Sequence, residues 1–538
     1  MAFFYQYHDL REHVKHRINP HLPRNGKSSM NESGLYSGEP VRDLEELIYT
    51  NELPDISVKT DHSGSKYFEV TWEPKDRFNP HNWTTTRRIF ATLAVCLIAL
   101  TTTMASAIDA AVVSEAANEF GVSETAESLA TGLYLIGFGV GALVASPLSE
   151  MVGRFPVYLG TLIIFGCWIL GAALAPNFGA QLAFRFLAGL MGTAPLTVAG
   201  GSVGDLWNPV ERTFGFPIFA VPAFSGPILG PVVGAYVGYS PHINWRWVEW
   251  LMLILDGAVL VLVALFKRET FAPRLLFYKA RFYRNLTGDE RFKTAIEASG
   301  TADLTSVLSR NFTRPWILAI EPIVVFLTIY MSFVYIVLFT FLDGYPFIFR
   351  DIHGLNDGLT NICFLGLFIG NALAMFLVPI LYKRTIKQLR DSRDDGSGSK
   401  LDRESRLFFA QVGAPTIPIG LFWMAWTNYS SISFWAPLSA TVFIGFGIIC
   451  IFMSCMLYII DAYEQYAASA LTFVALVRYL AAGGMAVVGF PMYKNLGTHW
   501  TLTLLALLSL IVTPLPYVLQ FWGPSLRKKS KWAVSNKA

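Results

Sequence analysis

Six ionisable side chains lie inside stretches that are otherwise apolar: Asp109, Arg185, Glu249, Asp256, Glu321 and Arg478. A charge in lipid is expensive unless it meets a partner or water, so such residues pair, titrate or line a wet cavity. The chemistry open to them is reversible protonation and ion pairing. Arg185 either pairs with a carboxylate or assists proton release by shifting a nearby acid. Asp109 matches it in depth; the alternative is an exposed residue at the outer end of its segment. Glu249 and Asp256 stand seven apart and so share one helical face, offering a protonation site or an attraction for cationic cargo. Glu249 equally suits an outer interface, where Trp245, Trp247 and Trp250 form an aromatic belt. Glu321, followed by Pro322, reads as a proton carrier or as a structural hinge. Arg478 reads as lining a central cavity or capping a carbonyl.

The elements that position these groups are membrane spans. Of 538 residues, 53% are hydrophobic and only 15% charged, with mean hydropathy +0.43; soluble domains carry roughly 25% charged residues. A net charge of +3 is too small to imply nucleic acid. The five cysteines all fall in apolar segments, which suits packing rather than disulfides or metal ligation. Twelve runs are long enough to cross a bilayer, which takes about 20 residues each. They lie near Ile89–Val113, Ala126–Ser146, Pro156–Ala175, Leu182–Val203, Thr213–Gly238, Trp247–Phe266, Pro315–Leu342, Leu359–Tyr382, Leu407–Trp426, Phe434–Ile460, Ala467–Met492 and Trp500–Phe521. The expected fold is an all-α membrane protein with two pseudo-symmetric six-helix bundles. Its divisions are a disordered cytosolic tail at 1–85, the first bundle at 86–266, a central cytosolic loop at 267–314, the second bundle at 315–522 and a cytosolic tail at 523–538. Asp391–Lys400 is a flexible linker by composition.

Charge sets the expected orientation. The Lys267–Arg314 loop carries ten Lys/Arg, Lys383–Arg406 eight and the segment after Gly523 five, whereas Ser114–Thr125 has three glutamates and no base. Both termini are therefore expected on the cytosolic side.

Two further patterns bear on movement. Glu150 and Arg154, four apart at the junction of the second and third spans, suit a charge latch that holds one conformation, with Gly153 permitting the turn. In the fifth span, Ser225–Gly234 packs Gly226, Pro227, Gly230, Pro231 and Gly234 into ten residues. Small residues let helices approach closely in lipid, so this stretch is expected to be a tight, bent packing seam. Tyr330 and Tyr335 in the seventh span are candidate aromatic walls for flat or cationic cargo. No phosphate-cradling glycine loop with a following Lys-Ser/Thr pair is present, so a gradient is the expected energy source.

These motifs resemble those of the major facilitator superfamily. Leu148, Gly153 and Arg154 match its signature loop, with Glu150 as the acid, while Ser146 and Phe155 depart from it. Arg185-Phe186-Leu187-Ala188-Gly189 looks like the family's buried-arginine motif, and Gly200–Trp207 continues it. Gly226, Gly230, Pro231 and Gly234 look like the antiporter signature of the fifth span. Glu269-Thr270-Phe271-Ala272-Pro273, Asp461-Ala462-Tyr463 and Gly523–Arg527 also look like fungal members. The resemblance runs from about Asn79 to Lys531 and is strongest to fungal twelve-span drug:proton antiporters of the benomyl, cycloheximide and fluconazole resistance type.

The resemblance implies proton-driven export of small hydrophobic or amphipathic drugs and toxins by alternating access. It implies no enzyme activity and no cofactor beyond the proton gradient. The expected partners are drugs, protons and lipid, in a monomer of the plasma membrane. The alternatives are a polyamine or secondary-metabolite exporter, an uptake symporter and a membrane sensor without flux.

Overall fold

The computed structural model describes residues 1–18, 48, 53–60, 64–238, 244–298, 312–394 and 403–533. A helix α1 (Ala2–Ile18) and two strands, β1 (Ile56–Thr60) and β2 (Lys66–Val70), precede the first long apolar helix. The first six spans are α2 (Thr85–Ala105), α3 (Leu129–Val152), α4 (Arg154–Ala173), α5 (Phe178–Leu206), α6 (Arg212–Gly238) and α7 (Trp247–Phe266). Helix α8 (Ala272–Thr287) and strand β3 (Phe292–Lys293) follow. The second half contains α9 (Pro322–Tyr345), α10 (Asp357–Asp391), α11 (Arg403–Thr427), α12 (Trp435–Tyr463), α13 (Ala467–Val512) and α14 (Leu515–Lys529).

Among the described residues, eleven continuous helical stretches are long and apolar enough to cross a membrane. The last of them, Ala467–Lys529, is 63 residues long, about three times what one crossing needs. Its backbone leaves helical geometry at Gly497, with φ +78° and ψ 164°. The Thr501 hydroxyl then reaches the Met492 carbonyl at 3.3 Å, although nine residues of straight helix span about 13 Å. The chain therefore turns back at Gly497, and eleven stretches make twelve crossings.

Two features differ from the expected boundaries. The first span stops at Ala105 rather than Val113, and a 3₁₀ turn at Ile108–Ala111 follows. The cause is a run of hydroxyls returning to the backbone: Thr103 Oγ1 donates to Ala99 O at 2.6 Å, and Ser106 Oγ donates to Thr103 O at 2.6 Å. Such bonds compete with helix continuation. The seventh span starts at Pro322, with Glu321 as its extended, half-buried N-cap. Glu321 is thus a residue of the break before α9.

The expectation of a disordered 1–85 tail is corrected for its described parts. Strands β1 and β2 pair antiparallel from Ile56↔Val70 to Thr60↔Lys66, and β3 joins β2 in parallel. Helices α1 and α8 cover this small sheet through a core that includes Leu10, Val14, Phe68, Tyr283 and Phe292. At its centre Asp55, fully buried, accepts from Tyr283 Oη at 2.6 Å and pairs with Lys279 Nζ at 2.9 Å and Arg17 Nη1 at 3.1 Å. Burial alone would raise the Asp55 carboxyl; Lys279, Tyr283 and Arg17 together hold it below its ordinary value. The tail's strands lack a hydrophobic face of their own size, and the missing wall comes from the 267–298 segment. The flexible-linker segment Asp391–Lys400 lies mostly outside the described residues.

Candidate functional site

Arg185 lies two turns into α5 with no exposed surface. Its Nη2 meets Asp109 Oδ2 at 2.8 Å and donates to Ala105 O at 2.9 Å, while Nη1 meets Glu249 Oε1 at 3.3 Å. The Tyr134 ring stands 4.8 Å from the guanidinium carbon. Each partner is delivered by a local rule. The break after Ala105 turns Asp109 inward, and the first turn of α7 points Glu249 the same way. Both acids are buried, so the outer-interface readings of Asp109 and Glu249 are corrected. Two carboxylates share one guanidinium, leaving one surplus negative charge where water is scarce.

Asp256 is on the Glu249 face of α7, as its spacing predicts, yet it does not join this cluster. Its carboxylate lies against Gly166 of α4, where a Cβ would meet Oδ2 at 2.7 Å, and Oδ1 has no hydrogen-bond partner.

The glycine stretch explains how Asp109 is held. Gly226, Gly230 and Gly234 repeat every four residues and face the end of α2 and the turn beyond it. A Cβ on Gly230 would meet Met104 O at 2.8 Å, and one on Gly234 would meet Ile108 O at 2.6 Å; one on Gly226 would strike Thr103 Oγ1. Helix α6 runs unbroken through Pro217, Pro222, Pro227 and Pro231. The seam is as tight as expected, and its function in the structure is to clamp the turn that carries Asp109.

At the junction of α3 and α4, Arg154 pairs with Asp205 of α5, Nε to Oδ2 at 3.0 Å. Glu150 and Arg154 share a cavity wall with Asp205, an ion-pair partner of Arg154 that the latch reading passed over. Glu269, beyond α7, accepts from the backbone N–H groups of Arg154 at 3.0 Å and Phe155 at 3.1 Å, capping α4. Gly153, at φ +105°, is required twice over: by its dihedral, and because a Cβ would meet Glu269 Oε2 at 2.6 Å. The tail reaches the same place. Gln6 and Glu269 exchange side-chain–backbone bonds at 3.1 and 2.9 Å, and Phe3 stacks on Phe155 at 4.6 Å. Asp205 and Glu269 were both visible in the motifs Gly200–Trp207 and Glu269–Pro273; what was missing was the knowledge that they converge on one arginine.

Between the halves, a cavity of about 300 Å³ rises from the end of the molecule that bears α1 and α8. Its mouth includes Glu150, Asp205 and Glu464, and its apex includes Phe219, Phe452 and Arg478. Above the apex, aromatic rings from both halves interlock: Phe224 lies 4.4 Å from Phe452 and 5.4 Å from Tyr335, and Phe138 lies 5.1 Å from Tyr479. Toward the far end, α3 presses on α13, so that a Cβ on Gly132 would meet Gly483 O at 2.8 Å. A shallow far-end vestibule of about 110 Å³ is lined by Ala110 and Ala111, next to Asp109, and by Asp343. Asp343 was missed in the sequence because it falls one residue past the expected end of its span; its Oδ2 is buried without a hydrogen-bond partner.

Tyr335 is at the aromatic plug, as expected of a cavity wall. Tyr330 is corrected: it is buried in the second half beside Cys450 and Cys455, away from the cavity. Arg478 is the expected cavity residue and caps no carbonyl; its guanidinium sits 4.8 Å from the Tyr335 and Tyr479 rings and 5.5 Å from Phe452.

Two helical halves, contacting through α3 with α13 and α6 with α10 and enclosing a cavity reached from one end, have the architecture of a two-bundle membrane transporter. The family model described as Major Facilitator Superfamily matches residues 93–486. The chain belongs to that superfamily, among multi-pass membrane transporters rather than enzymes. It is 47% identical to the MFS-type transporter kojT of Aspergillus flavus over 85% of this chain and 81% of that one. It is 34% identical to the MFS-type efflux pump MFS2 of Trichophyton rubrum, over 86% and 77%. The proton:xylose symporter XylE, solved with 6-bromo-6-deoxy-D-glucose, shares the fold with TM-score 0.59 at 14% identity, covering 82% of this chain and 96% of that one.

Proposed function

We propose that this transporter exports small hydrophobic or amphipathic molecules in exchange for protons, with a proton gradient as its only energy source. The observation that carries this reading is the Asp109–Arg185–Glu249 cluster, with two acids on one buried guanidinium. One carboxylate balances Arg185 and the other is left to carry a proton. The far-end vestibule beside Ala110 and Ala111 gives protons a route to it, while cargo occupies the opposite cavity. Proton and cargo then favour different states, and coupling follows from their differential affinities. On this reading both termini are cytosolic, the membrane is the plasma membrane and the working unit is the monomer.

A secondary-metabolite exporter is the second reading, favoured by the similarity to the Aspergillus transporter kojT. It changes the cargo and keeps the coupling. The test is proteoliposomes with an imposed pH gradient, comparing wild type with Asp109→Asn and Asp256→Asn. Gradient-driven flux is expected to fall at least about tenfold in Asp109→Asn and to stay near wild type in Asp256→Asn. Equal flux with and without the gradient in the wild type overturns proton coupling.

A further inference from the structure

Resting on the export reading, we propose that Arg478 anchors an anionic group on a flat, apolar cargo, making this site selective for aromatic organic anions over cations. Arg478 lines the apex of the central cavity with only 3% of its surface exposed. Its Nε and Nη1 have no hydrogen-bond partner, and among the described residues no carboxylate pairs with it. This contrasts with the other arginines that line the cavity, Arg154 and Arg212, and with the buried Arg406 nearby. Arg154 has Asp205 at 3.0 Å, and Arg406 has Asp461 at 2.6 Å. Arg212 donates to the carbonyls of Trp207 and Gly204 at 3.1 and 3.2 Å. The acids at the mouth are likewise engaged: Glu464 meets Arg403 at 3.1 Å.

Buried guanidinium N–H groups left without acceptors are costly, and an oxyanion meets them in a two-point geometry. The three rings around Arg478 hold its plane by cation–π contact and leave an edge for the ligand. The same rings supply flat apolar walls. A cavity of about 300 Å³ stands at the small end of ligand sites, which fits one or two fused rings. A cationic cargo at this apex would face an uncompensated positive charge.

The probes are 2-naphthalenesulfonate, which stays ionised, its uncharged counterpart 2-naphthalenesulfonamide, and cationic 2-naphthylmethylammonium. Binding is measured on the full chain in nanodiscs, and counterflow in proteoliposomes. Wild type is expected to bind the sulfonate at least about tenfold more tightly than either of the others. Arg478→Gln is expected to erase that preference, and Arg478→Lys to keep part of it. The wild-type ranking tests the proposal even where a variant fails to fold. Tightest binding of the cation, no binding of any probe, or an unchanged preference in Arg478→Gln overturns it. Selective binding without counterflow keeps the anchor and removes the export reading instead.

Discussion

Arg185 illustrates how much one side chain holds in place. With no exposed surface, it is the shared counter-charge of Asp109 and Glu249. Arg185→Ala leaves two buried acids without compensation, a change that costs about 3–5 kcal/mol in comparable cases. The expected result is a clear loss of thermal stability in detergent, read as the fraction monodisperse after heating. Replacing Arg185, Asp109 and Glu249 together with leucine is expected to recover stability while transport stays abolished. The sequence showed three charges in apolar surroundings and their matching depths, which was sufficient to nominate the pair Arg185 and Asp109. It grouped Asp256 with Glu249 by their seven-residue spacing, which is right about the face of α7, but a different neighbour, α4, covers that turn. Depth and face are local properties; which helix lies opposite is not.

At the scale of elements, the glycine face of α6 and the turn after α2 form one unit. Gly230→Leu drives a branched side chain into Met104 O and Ile108 N, which a Cβ alone would approach at 2.8 and 3.1 Å. Transport is expected to be abolished, with the protein still present in the membrane fraction. Gly257→Leu is the control, since nothing lies within 4 Å of a Cβ there, and it is expected to stay near wild-type flux. Spans and the seam were legible because lipid imposes length and hydropathy on any crossing. The folded tail was not, because its amphipathic helix and strands become stable only against α8 and β3, far away in the chain. The ion pair of Arg154 with Asp205 was hidden for a related reason: adjacency in sequence pointed to Glu150, and a third helix supplied Asp205.

For the whole molecule, the halves are closed at the far end by α3 against α13 and by the aromatic plug. A Cβ on Gly139 would meet Leu476 O at 3.1 Å and the Tyr479 Cβ at 3.3 Å. Gly139→Leu therefore wedges this seam and is expected to shift the population toward opening at the far end. A single cysteine at Ser106, in a background lacking the exposed Cys167, should then react several-fold faster with a membrane-impermeant maleimide added on that side. An unchanged rate would mean that the seam does not set the closed state.

The three-stranded sheet also has a bearing on how the chain is made. Strands β1 and β2 leave the ribosome before any span, whereas β3 and its cover α8 follow the sixth. At about 5–20 residues per second, the early strands wait roughly ten to forty seconds for their partner. During that interval the first bundle is being inserted, and the buried side of the strands stays open to chaperones or proteases. Completion of the sheet thus follows synthesis of the first six spans, and a chain stalled before β3 leaves β2 without its parallel neighbour.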